Sequence, residues 1–270
     1  MNDDREALRS LRSMIIDLDG VFYRGDTVIP GAPAFVDFLR EQDIGFVLAT
    51  NNSTRTPQQY VEKLGKMGVL VGADQILTSA VATAGYLASN APLGTRVFVV
   101  GQDGLLAALA DRGFALVEDN VEWVVAGMDF TICYERLAQA ALHIRGGARF
   151  VGTNPDLTFP SERGIVPGAG SLLAFLEAAT GIQPSVIGKP APLMMEQALV
   201  RMDAQPETTA VLGDRLETDI LAGLNAGLGT ILVLSGVTDP ATLAASTIQP
   251  DLVYRDVGHL HGDWLSALDG

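Results

Sequence analysis

Residues 14–21 read MIIDLDGV: three apolar residues run into Asp17, one more follows, then Asp19 and Gly20. Residues i and i+2 share one side of a strand, but glycine ends the strand here, so the two acids can serve different atoms. Three further polar groups also follow apolar runs. They are Thr50-Asn51-Asn52, Gly188-Lys189, and Gly213-Asp214 with Asp219 beyond. In an open parallel sheet, ligands bind outside the carboxyl ends of the strands. Brought to one such edge, these segments supply carboxylates, a hydroxyl, amides and one ammonium. Carboxylates crowded together repel, and a divalent cation resolves that conflict; an oxygen-only donor set suits Mg²⁺. Each residue also has a plainer reading. An Asp after a strand forms turns or caps, Asp214 and Asp219 can sit on a helix dipole, Thr50-Asn51-Asn52 can be a polar turn, and Lys189 a solvated charge. Their joint occurrence, in order and at strand ends, weighs against four separate coincidences.

The elements that must position them follow from periodicity. Short, β-branched apolar runs at 14–16, 44–49, 185–187, 209–212 and 230–234 read as buried core strands. Amphipathic stretches at 32–42, 191–202 and 217–227 read as helices, the last opening on acids and closing on glycine. Strand–helix alternation implies a parallel sheet covered on both faces. The interval from Thr50 to Lys189 is too long for one crossover, and it carries its own strand pattern and a helix near 134–144. The expected architecture is α/β: a doubly wound, Rossmann-like parallel-sheet core of residues 1–79 and 183–270, with an α/β cap domain of residues 80–182 inserted.

Composition bounds the partners. The 270 residues are 48% hydrophobic and 19% charged, enough for a packed core, and the net charge of −14 comes with no basic stripe for nucleic acid. Residues 220–238 carry no charge, but Gly223, Gly227, Gly229, Gly236 and Asn225 break them into helix, turn and strand rather than a membrane span. The lone Cys133 and an acidic, non-signal-like start suit a reducing cytoplasm. Lys189 lacks P-loop spacing, since Pro190 follows it. His143, His259 and His261 do not group as zinc ligands, the last two lying in an exposed-looking tail. Residues 21–24 and 27–29 read as a small hairpin turning at Gly25-Asp26.

The segments DLDGV, ATNNST, GKP and GDRLETD resemble, in order, the four motifs of the haloacid-dehalogenase-like hydrolases. The position of the insertion, with GTNPDLTFP and VPGAGSL inside it, resembles the class IIA branch, NagD-like and 4-nitrophenylphosphatase-like. That resemblance implies a cytoplasmic Mg²⁺-dependent phosphatase of small phosphomonoesters such as nucleoside monophosphates, sugar phosphates or aryl phosphates. It makes Asp17 the nucleophile that forms an aspartyl-phosphate and Asp19 the general acid/base, with a main-chain carbonyl on the metal. Thr50, Asn51 and Lys189 would hold phosphate, Asp214 would complete the metal site beside Asp17 and Asp19, and Asp219 would support it. Asn154 and Asp156 would lie in a loop that reads the substrate. Tyr23 would line the entrance or simply pack, and the cap would mediate a homodimer. The chemistry fits from below: a carboxylate is a phosphoryl acceptor, a cation offsets anion repulsion, and a second acid serves a leaving group that must be protonated. A phosphomutase or phosphotransferase, or a binding protein retaining the fold, are the alternatives.

Overall fold

Ser13–Ile16 form β1, buried along its whole length. The computed structural model describes residues 2–161 and 163–269, with residues 2, 3 and 160 described by backbone alone. After β1 come a two-stranded antiparallel hairpin, β2 (Tyr23–Arg24) and β3 (Thr27–Val28), then β4 (Gly45–Thr50) and β5 (Ile76–Thr78). A second series follows: β6 (Arg96–Val100), β7 (Ala115–Leu116), β8 (Trp123–Ala126), β9 (Arg149–Gly152), β10 (Thr158–Ser161), β11 (Gly164–Pro167) and β12 (Ser185–Val186). The chain closes with β13 (Thr209–Gly213), β14 (Gly229–Val233) and β15 (Leu252–Tyr254).

Two compact units result. The first holds residues 1–50, 60–77 and 189–270. Its sheet runs in the order β15-β14-β13-β1-β4-β5, with β1 parallel to β13 and to β4. Parallel neighbours need crossovers, and helices supply them, which is why β1, β4, β13 and β14 are almost entirely buried. Helix Val257–Leu268 packs on helix Ala32–Glu41, where the Trp264 ring meets Phe38 edge-on at 5.5 Å. Gly31, at φ +90°, lets the two backbones touch, since a Cβ there would stand 2.7 Å from the Gly258 Cα.

The second unit holds residues 51–59 and 78–188. It has a five-stranded sheet ordered β12-β9-β8-β6-β7, a β10–β11 hairpin, and its own core around Phe98, Val124, Ile144, Phe150 and Leu176. An α/β insertion therefore interrupts an α/β core.

Three sequence expectations need correction. The run at 185–187 is not a core strand: β12 is the edge of the second sheet, paired with β9, and Ser185 is exposed. A two-residue edge strand carries too little pattern to reveal which sheet it joins. The expected helix at 217–227 begins instead as a π-turn, Leu216–Ile220, before the α-helix Leu221–Asn225. The tail bearing His259 and His261 is a docked helix rather than an exposed end, with the His261 ring 4.8 Å from Phe38. Among the described residues, no helix is long and apolar enough to cross a membrane.

Candidate active site

The Asp17 amide donates to the Leu212 carbonyl at 2.8 Å, so the β1–β13 ladder runs one residue past the strand and holds the Asp17 backbone rigidly. Leu18 is buried, Asp19 is exposed, and Gly20 turns the chain at φ +84°. The Phe22 amide then donates back to Leu18 O at 3.0 Å, and the Gly20 amide to Tyr23 O at 2.8 Å. This tight turn separates the two acids. Asp17 stays at the sheet edge, and Asp19 stands on the turn with its Oδ2 accepting a 3.2 Å hydrogen bond from the Tyr23 hydroxyl.

Lys189 arrives from the segment after β12. Its Nζ donates to Asp17 Oδ1 at 2.5 Å, to Asp219 Oδ1 at 2.6 Å and to the Ala49 carbonyl at 3.1 Å. The side chain is only 3% exposed. Burying an ammonium is costly unless it is paired and hydrogen-bonded, and here both conditions hold. Asp219 is placed by the π-turn, which folds it back over β13; a Cβ on Gly213 would lie 2.2 Å from its own Cβ. Its second oxygen accepts from the Asp214 and Arg215 amides at 3.3 and 3.1 Å.

Asp214 follows β13. Its Oδ2 accepts from the Val237 amide at 2.6 Å, and glycines flank it: a Cβ on Gly20 or Gly236 would lie 2.4 or 1.9 Å from that oxygen. Asp17, Asp214 and Asp219 bring one carboxylate oxygen each within 4.8 Å of one another. Both Asp219 oxygens are committed to Lys189 and to amides, whereas Asp17 and Asp214 each keep an oxygen outside those bonds. The donors fit a hard divalent cation held by Asp17 and Asp214.

The electrostatics agree. Burial, reinforced by the Asp219 and Asp214 charges, pushes Asp17 well above the usual carboxylate range despite Lys189. Burial and the Asp219 charge lift Asp214 to about 7, against the opposing Val237 amide. Burial acts to lower Lys189, but Asp17 and Asp219 outweigh it and hold the ammonium above its ordinary value. One cation does not satisfy three clustered acids, and a second positive charge would relieve the rest.

Thr50 ends β4, buried beside β1. The other candidate residues sit differently. Asn51 belongs to the second unit, where its Nδ2 donates to Asp156 Oδ2 at 3.2 Å and its carbonyl accepts from Asn154 Nδ2 at 2.7 Å. Asn154 Oδ1 in turn accepts from the Asp156 amide at 3.2 Å. Asn154 is buried, and both ends of its amide brace this loop. Tyr23, for which an entrance and a packing role were both open, is fully buried. Sequence reasoning gave no role to Ser235, Gly236, Val237 or Lys63, although residues 226–237 resemble the family's stretch after the fourth motif. Ser235 Oγ donates to Gly20 O at 2.6 Å, and Lys63 Nζ lies 3.6 Å over the Tyr23 ring. A second signal was the Ser-Gly pair closing the apolar run before residue 237.

A family model described as haloacid dehalogenase-like hydrolase matches residues 14–115, and a HAD-hydrolase-like model matches residues 186–260. An acid sugar phosphatase of Staphylococcus saprophyticus is 38% identical over 254 residues, covering 94% of this chain and 98% of that protein. The crystal structure of a 4-nitrophenylphosphatase from Thermotoga maritima matches with a TM-score of 0.92 at 38% identity, over 96% of this chain and 99% of the other. A glycerol phosphate phosphatase from Mycobacterium tuberculosis, solved in complex with magnesium, matches with a TM-score of 0.86 at 35% identity, over 94% and 77% of the two chains.

Proposed function

The chain belongs to the haloacid dehalogenase-like hydrolase family, and from that premise we propose that it is a Mg²⁺-dependent phosphatase of small phosphomonoesters. The observation that carries this reading is the Lys189 ammonium bound to both Asp17 and Asp219 beside Asp214. One ammonium among three carboxylates leaves a net negative edge that a divalent cation would neutralise. Asp17 is the nucleophile: its carboxylate oxygen bonds to phosphorus as the bond to the leaving oxygen breaks. Asp19, on the turn and exposed, gives that oxygen a proton. It then takes one from the water that hydrolyses the aspartyl-phosphate. Lys189 and Thr50 hold the phosphoryl oxygens, and Asp219 fixes Lys189. Asp17, Asp214 and the Asp19 main-chain carbonyl would hold Mg²⁺, which when bound offsets the repulsion between a carboxylate and a phosphate dianion.

The substrates named for the relatives share a phosphate on a small body: a sugar, glycerol or a nitrophenyl group. Sugar and polyol phosphates are the class to screen first. Phosphate release by the metal-stripped protein in EDTA should be lost and should return on adding Mg²⁺. Asp17→Asn should abolish both turnover and the phospho-enzyme. Undiminished release after exhaustive chelation would remove the metal from the mechanism, and turnover by Asp17→Asn would remove the covalent intermediate.

A further inference from the structure

The Tyr23 hydroxyl lies inside the first unit, and its hydrogen bond to Asp19 Oδ2 is 3.2 Å long. A phenol here donates to one oxygen of an otherwise exposed acid. Lys63, on helix Pro57–Lys66, places its ammonium 3.6 Å from the centroid of the same ring. A cation on a π face draws on the ring's electron density, which strengthens the phenol as a donor. The backbone fixes the pair: the Gly20 amide donates to Tyr23 O, and Asp19 and Tyr23 form a β-bridge.

We propose that Tyr23 is a positioning residue for Asp19: its hydroxyl, polarised by Lys63 over the ring, orients the Asp19 carboxyl toward the leaving oxygen. Protonated Asp19 gives its proton to the leaving oxygen. As the leaving oxygen takes that proton, its bond to phosphorus breaks and the Asp17–phosphorus bond forms. Asp19 becomes a carboxylate, and the Tyr23 bond becomes charge-assisted, stronger at that moment than before it. The effect matters only where the leaving group needs a proton.

The inference rests on the phosphatase reading, and the test separates the two. Phospho-enzyme formation is followed by rapid quench in the full chain with Mg²⁺, using an alkyl phosphate and 4-nitrophenyl phosphate. Tyr23→Phe keeps the ring and should slow the alkyl ester by about tenfold and the aryl ester by less than about threefold, with KM and melting temperature nearly unchanged. Lys63→Met should shift the same ratio in the same direction by a smaller factor, and should add nothing in the Tyr23→Phe background. It also carries the test if Tyr23→Phe fails to fold. Equal losses on the two esters, or none, in a wild type active on both would overturn the inference alone. A wild type that releases phosphate from neither ester would overturn the phosphatase reading and this inference with it.

Discussion

Asp214 occupies a slot with glycine on both sides, Gly20 and Gly236, where a Cβ at either would meet its carboxylate. In Gly236→Ala the new Cβ would meet Asp214 Cβ and Cγ at 2.4 Å, atoms with no freedom to swing aside. The carboxylate must shift, and a misplacement on the ångström scale costs on the order of 100-fold in rate. The expected result is a fall in kcat of that size and weaker Mg²⁺ activation, with stability lowered by about 1–3 kcal/mol of overpacking, read by steady-state assay and urea denaturation side by side. Asp17, Asp19, Lys189 and Asp214 were legible because, though each is ordinary alone, they recur in order at the ends of successive apolar runs. Gly236 was not, since glycine after a strand is ordinary and only its three-dimensional neighbour makes it necessary. The bracing role of Asn154 was not legible either, since its partners, the Asn51 carbonyl and the Asp156 amide, are seen only in three dimensions.

At the scale of elements, short pieces are what the sequence concealed. β5 and β15 have three residues each, and β12 has two, so hydrophobic periodicity has almost nothing to count. β1, β4, β13 and β14 were legible because burial on both faces leaves continuous apolar runs. Helix Val257–Leu268 was hidden by its histidines and glycines, yet its start carries a clear signal. Asp256 caps it, accepting from the His259 amide at 3.0 Å and contacting the His259 ring at 2.7 Å. Slight burial pushes the Asp256 carboxyl up, but hydrogen bonds from His259 and Arg255 outweigh it and hold it below its ordinary value. Asp256→Ala should therefore cost about 1 kcal/mol at neutral pH. An acid with a depressed folded-state pKa stabilises above its unfolded pKa and loses that contribution as pH falls through the folded one. The gap between wild type and variant should then close below about pH 4. Urea melts at pH 7 and pH 3 test this, and a gap that persists at pH 3 would deny the charged cap its role.

At the scale of the whole chain, the insertion was legible from arithmetic alone, because the stretch from Thr50 to Lys189 exceeds any single crossover. That residues 51–59 join the second unit was not, because a polar turn gives no sign of which core its neighbours enter. The two units have separate hydrophobic cores, so they need not unfold as one. Leu176→Ala, in the second core, should cost about 3 kcal/mol. Hydrogen exchange read by mass spectrometry should then speed up in β6, β8 and β9, with β1 and β13 retaining wild-type protection. Uniform acceleration would mean a single cooperative unit. The strand order has a further consequence, in time rather than in energy. β1 lies between β4 and β13. A ribosome adding about 5–20 residues per second takes roughly 10–40 s to travel from β1 to β13. Throughout that interval one edge of β1 has no neighbour, and for most of it Asp17 has no lysine while the second unit is being made. An apolar strand with a bare edge invites pairing with other chains. A nascent copy of this protein thus carries that open edge until its last third is translated.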